Sequence, residues 1–172
     1  MLGLKHNTNV LVEHDPGWAS DYAKEKASLV AAIGNRAKGI EHYGSTAVPG
    51  LIAKPILDIL IGVDPLDDWR QCHDPLVSLG YDYAADAGVA GHHIFGRGRD
   101  RSERTHLVHV VLFEGPSWTP NLRFRDALRD DPELRAAYAE IKQKAATAAP
   151  DSRPLYNRLK QNFIDGIKAK LA

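Results

Sequence analysis

Two hydrophobic periods run along this chain, and they predict helices at both ends around a strand-rich middle. Trp18, Tyr22, Leu29, Val30 and Ile33 recur near helical spacing after the turn Asp15-Pro16-Gly17, and Gly34-Asn35 supplies a stop. Residues 40–43 read as a short strand running into Gly44-Ser45-Thr46, and residues 47–54 as a loop punctuated by Pro49 and Gly50. The stretch Pro55–Val63 is apolar on both faces apart from one acid, Asp58, which is the pattern of a central strand covered on both sides. Asp64-Pro65 predicts a helix start, Trp69, Cys72, Leu76 and Leu79 its buried stripe, and Gly80 its end. Residues 81–84, 92–96 and 106–113 predict three further strands. From Thr119-Pro120 onward the spacing is helical. Asp131-Pro132 caps a second helix carrying Leu134, Tyr138, Ile141 and Ala145, residues 150–154 read as a linker, and a last amphipathic helix carries Leu159, Phe163, Ile164, Ile167 and Leu171. The order predicts one α+β domain over residues 1–172: a mixed sheet with flanking helices, and a helical C-terminal part over 119–172.

Composition narrows the function classes. The chain has 172 residues with 22 basic and 22 acidic side chains, so its formal net charge is zero. That balance argues against an extended nucleic-acid partner or a polybasic membrane binder. Hydrophobic residues at 44% and charged residues at 26% exclude disorder as the main state. The single cysteine, Cys72, excludes an intramolecular disulfide and sits in a helical stripe as a core residue. No apolar run approaches the ~20 residues of a membrane span. Met1–Val12 has one lysine and no long apolar core, so the expected setting is cytoplasmic, with no membrane partner. No Walker P-loop and no Gly-x-Ser-x-Gly elbow is present, and Gly96-Arg-Gly98 is too short for a dinucleotide fingerprint.

The informative residue is Asp58. A carboxylate inside an apolar strand is costly unless it is paired, hydrogen-bonded or bound to a metal. Fourteen residues earlier, Gly44-Ser45-Thr46 forms a small-residue turn whose backbone N–H groups and hydroxyls can cradle phosphate oxygens. A strand acid near such a turn can hold the Mg²⁺ that the same phosphates bind. Glu41 on the preceding strand is the candidate second carboxylate. His109, inside the last strand, is a candidate general base or phosphate contact, and His42 can reach the same cleft. Lys54 and Arg104 precede strands; Arg125 and Arg129 stand four apart on one helix face; Lys142 and Lys160 come from the C-terminal helices. All six are candidate phosphate contacts. Each has a structural alternative: a core histidine, a solvated charge, or a helix-surface ion pair with Asp126 or Asp130, the reading preferred for Arg123.

Tyr43-Gly-Ser-Thr-Ala-Val-Pro-Gly-Leu51 followed by Ala53-Lys-Pro-Ile-Leu-Asp58 resembles the signature of the GrpB (UPF0157) family, which is grouped with the nucleotidyltransferase superfamily. Asp15–Trp18, Leu79–Tyr81, Arg104–Val111, Phe124–Arg129, Tyr138 with Lys142, and Tyr156 with Lys160 also fit, over roughly residues 12–168. The resemblance implies a nucleotidyltransferase-like fold with one or two Mg²⁺ ions and ATP or another nucleoside triphosphate as substrate. Asp58 and Glu41 would be the metal ligands and Asp58 and His109 the catalytic groups. The reaction implied is nucleotidyl transfer to a small-molecule acceptor, or carboxylate adenylation and ligation to an amine. The superfamily pattern is acid–x–acid, and here position 60 is Leu, on the same strand face as Asp58. That departure supports an alternative: a non-catalytic nucleotide- or phosphometabolite-binding module with a degenerate metal site. Relatives fused to dephospho-CoA kinase would suit an accessory role of this kind.

Overall fold

The computed structural model describes residues 1–100 and 102–172. Its centre is a five-stranded sheet of β2 (Gly39–Tyr43), β3 (Leu57–Val63), β4 (Asp82–Tyr83), β5 (His93–Arg97) and β7 (His106–Leu112), in the order β2-β3-β7-β5-β4. β3 and β7 run parallel and every other pair is antiparallel. Two elements carried no sequence signal: β1 (Leu4–Lys5) and β6 (Glu103–Arg104), which pair as a separate two-stranded ribbon. The helices are α1 (Gly17–Ile33), α2 (Trp69–Ser78), α3 (Thr119–Asp130), α4 (Pro132–Ala148) and α5 (Arg153–Lys170).

The apolar run on β3 is explained by helices on both sides of the sheet. On one side, Leu29 and Ile33 of α1 and Cys72 and Leu76 of α2 bury Ile59, Ile61, Val108 and Val110. On the other side, Leu60 and Val111 meet Trp118 and Leu122 at the start of α3. Beyond them, α3, α4 and α5 form a second core around Phe124, Leu128, Tyr138 and Phe163, in which the Tyr138 and Phe163 rings stack at 5.6 Å.

The helix expected from Asp64-Pro65 begins later. Pro65 is extended, a short 3-10 turn covers Leu66–Asp68, and α2 starts at Trp69. The Asp131 cap stands as expected, its carboxylate accepting from the Glu133 and Leu134 N–H groups at the start of α4. The span read as a linker before the last helix is shorter, because Ser152 caps α5 and Arg153 already lies in its first turn.

Edge strand β2 is not left open. Its Ile40 carbonyl accepts from the Tyr22 hydroxyl at 3.0 Å and its His42 carbonyl from Arg125 at 2.8 Å. Gly39 and Gly62 are cross-strand neighbours, and the Phe113 and Trp118 rings lie directly on them. A Cβ at Gly62 would stand 2.7 Å from Phe113 and 3.0 Å from Trp118. Gly62→Ala is therefore expected to lower stability by about 1–3 kcal/mol through overpacking, read as a shift of the urea midpoint with an unchanged slope.

Candidate functional site

Asp58 is the second residue of β3, opposite Tyr43 at the end of β2 and Leu107 on β7. It faces the α3–α5 side, at the foot of a cavity of about 250 Å³ lined by Gly44, Ser45, Lys54, His109, Tyr138, Lys142, Arg153, Tyr156 and Lys160, among others. The chain leaves β2 through Gly44, whose φ of +73° suits glycine. Space gives a second reason for glycine there: a Cβ at position 44 would lie 2.7 Å from Asp58 Oδ2. Ser45 begins a single 3-10 turn that ends at Ala47.

The electrostatics are lopsided. Four cations, Lys54, Lys142, Arg153 and Lys160, act on the one carboxylate, and none of them has an ion pair within 4.0 Å among the described residues. Burial pushes the Asp58 carboxyl up to about 6 against the pull of all four, although its side chain stays 31% exposed to the cleft. Burial, with Arg153 and Lys160 close by, brings Lys54 down to about 7. Burial brings Lys160 down to about 8 and holds Lys142 well below the ordinary lysine range. The ammonium groups of Lys54 and Lys160 lie 4.5 and 4.2 Å from the centre of the Tyr156 ring. Lys142 donates to the Ile52 carbonyl. The Arg153 Nε and Nη2 atoms and the Tyr156 hydroxyl are buried and have no hydrogen-bond partner among the described residues.

His109 borders the same cavity. Its Nε2 stands 4.0 Å from Asp58 Oδ1 and its Nδ1 3.1 Å from His92 Nδ1, and burial pushes it down to about 3, so the ring is neutral. His106 faces the other side of the sheet, beside Glu25 and Arg97, and His93 stacks on Trp69 rather than joining His92.

Several candidates are engaged elsewhere. Arg104 makes a two-pronged ion pair with Asp82 at 3.0 and 2.8 Å and does not line the cleft. Arg125 is buried and clamps α3 to β2, donating to Glu41 at 2.9 Å, to the His42 carbonyl and to Asp126. Arg129 holds the turn after Gly44 through the Ala47 carbonyl at 2.8 Å. The Thr46 hydroxyl donates to the Ile56 carbonyl and accepts from His42, so it is not free for phosphate. His42 lies on the α1 side, stacked on Tyr22, outside the cleft. Glu41 is tied to Arg125 and does not line the Asp58 cavity.

These positions decide the fit of a metal. Leu60 fills the second-acid position and is fully buried against Val111 and Trp118. Among the described residues no group of three or more His, Cys, Asp or Glu side chains is placed to hold a metal ion. One carboxylate ringed by four cations is not a metal centre. A cleft-lining cation that the sequence did not single out is Arg153. Its signal was the spacing Arg153, Tyr156, Lys160, one face of a helix that starts before the second proline.

The profile of the GrpB protein family matches residues 8–170. This chain belongs to the GrpB family. It is 34% identical to the glutamate-rich protein GrpB of Alkalihalophilus pseudofirmus over 97% of this chain and 98% of that one. The crystal structure of the conserved protein GrpB from Enterococcus faecalis covers 94% of this GrpB chain and 96% of its own, at 31% identity and a TM-score of 0.82. A dephospho-CoA kinase of Mycobacterium leprae is 28% identical over 90% of this chain, which spans 44% of that protein. Cid1, solved with its short product ApU, shares the fold at 12% identity and a TM-score of 0.53, over 80% of this chain and 43% of its own. The fold is thus one that Cid1 shares, and no helix among the described residues is long and apolar enough to cross a membrane.

Asp58 gives the protein a signed pH response. Its folded carboxyl keeps a proton up to about pH 6, against 3.8 for the ordinary group. The native state therefore binds more protons in that window, and stability falls as pH rises through it. Asp58→Asn removes the effect, so the urea midpoint of the variant is expected to gain on wild type between pH 4 and pH 7.

Proposed function

We propose that this GrpB domain binds a nucleotide or another small phosphorylated molecule, with the phosphates seated among Lys54, Lys142, Arg153 and Lys160. The observation that carries this reading is the excess of base over acid: Lys54, Lys142, Arg153 and Lys160 around one carboxylate, with two buried Arg153 nitrogens that have no acceptor among the described residues. Buried donors left unpaired are costly, and a phosphate that entered beside them would relieve that cost. A second cavity of about 280 Å³ shares Tyr43, Gly44, Ser45, Tyr138, Asn157 and Lys160 with the first and adds Phe124, Leu128 and Ile164. Its apolar wall suits the non-phosphate part of such a ligand.

A second reading is transfer on the bound nucleotide, either to a small acceptor or by carboxylate adenylation. Its support is Asp58 itself. A carboxylate that burial pushes up to about 6, with no hydrogen-bond partner among the described residues, is equipped to accept a proton from an attacking group.

The test is calorimetric titration of ATP and inorganic triphosphate into the full chain. Wild type is expected to bind, with Arg153→Ala and Lys160→Ala each weaker by about tenfold or more. A folded wild type that binds neither anion would sink the phosphate reading. For the second reading, turnover with a panel of amines and alcohols is expected to vanish in Asp58→Asn while binding persists.

A further inference from the structure

The family's fold implies divalent metal, and the residues in this cleft do not form a centre for it. We infer that the site takes its ligand as the metal-free polyphosphate anion, and that side-chain cations hold the place of the metal. This rests on the phosphate reading above and adds the form in which the ligand binds.

Three observations carry it independently of one another. The first concerns donors. The strand position two residues from Asp58, on the same face, is Leu60, sealed beneath Trp118 and Val111. Glu41, the other nearby acid, already accepts from Arg125 at 2.9 Å. The Nδ1 of the neutral His109 ring is occupied by His92 at 3.1 Å. Its Nε2, 4.0 Å from Asp58, is a nitrogen rather than the oxygen that Mg²⁺ prefers, so Asp58 is the one cavity carboxylate, and a Mg²⁺ ion held by protein asks for more oxygen donors than one side chain gives.

The second concerns field. Lys54 reaches the cavity from the loop before β3, Lys142 from α4, and Arg153 and Lys160 from α5. These basic groups converge from three elements on one pocket, and a divalent cation entering there meets the charges of Arg153 and Lys160, with Lys54 and Lys142 beside them. The third concerns ligand charge. A triphosphate carries three to four negative charges, which the basic side chains of the cleft oppose, whereas Mg²⁺ bound to the same oxygens cancels two of them before the ligand arrives. Metal and side chains therefore compete for the same phosphate oxygens.

The position of Asp58 then has an unusual consequence. In a metal site its carboxylate would attract the ligand complex. Among side-chain cations it is a like charge facing the phosphates, and removing it strengthens binding. The sign of one substitution separates the two arrangements.

The experiment is calorimetric titration of ATP into the full chain, once with EDTA and once with Mg²⁺ in excess over nucleotide, followed by the same pair with inorganic triphosphate. Binding is expected to be about tenfold or more tighter in EDTA, and Asp58→Asn is expected to bind tighter than wild type under the same condition. Equal affinity with and without Mg²⁺, or binding that needs Mg²⁺, overturns the inference, and so does loss of binding in a folded Asp58→Asn variant. The wild-type EDTA and Mg²⁺ comparison stands even if that variant fails to fold. Absence of binding under both conditions refutes instead the phosphate reading on which the inference rests, which separates the two failures.

Discussion

The charge imbalance around Asp58 is the constraint to which the rest of the cleft answers. A lone carboxylate on a strand buried from both sides is not stable next to hydrocarbon, and Asp58 is held among four basic side chains that outnumber it. Burial and mutual repulsion bring Lys54 to about 7 and Lys160 to about 8, while Asp58 rises to about 6. The cleft thus holds groups that change charge within the physiological range, grouped where the fold places its chemistry.

The scaffold that keeps them there is built from different residues. Arg125 and Arg129 use their guanidinium groups on the Glu41 and Asp126 carboxylates and on the His42 and Ala47 carbonyls. His42, Thr46 and Ile56 form a short relay of hydrogen bonds beneath the turn after Gly44. The floor of the cleft is therefore fixed to α3 and to the sheet by the polar contacts of Glu41, His42, Thr46, Arg125 and Arg129, while Lys54, Arg153 and Lys160 have no ion pair within 4.0 Å among the described residues.

The architecture was legible in the chain because it rests on local rules. Period-2 and period-3.6 patterns, the Asp131 cap and the both-sided apolar run of β3 all report on neighbours close in sequence. The ribbon of β1 and β6 was invisible because two-residue strands carry no period. Asp58, Gly44, Lys54, Lys142 and Lys160 stood out by residue type and do converge on one cavity. Arg104, Arg125, Arg129 and Glu41 have the same residue types but lie where the fold supplies a partner, and partnership over 22 or 84 residues of separation cannot be read from spacing. Arg153 was hidden by the prolines on either side of it, which look like a linker and instead bracket the first turn of a helix.

The cations of the cleft arrive on separate pieces of chain: one on the loop before β3, one on α4 and two on α5. These basic groups repel one another, and hydrophobic packing such as the Tyr138–Phe163 stack holds α4 against α5. An anion that entered would act as a keystone, drawing loop and helices onto a common centre. Foldedness and occupancy would then be two readings of one balance.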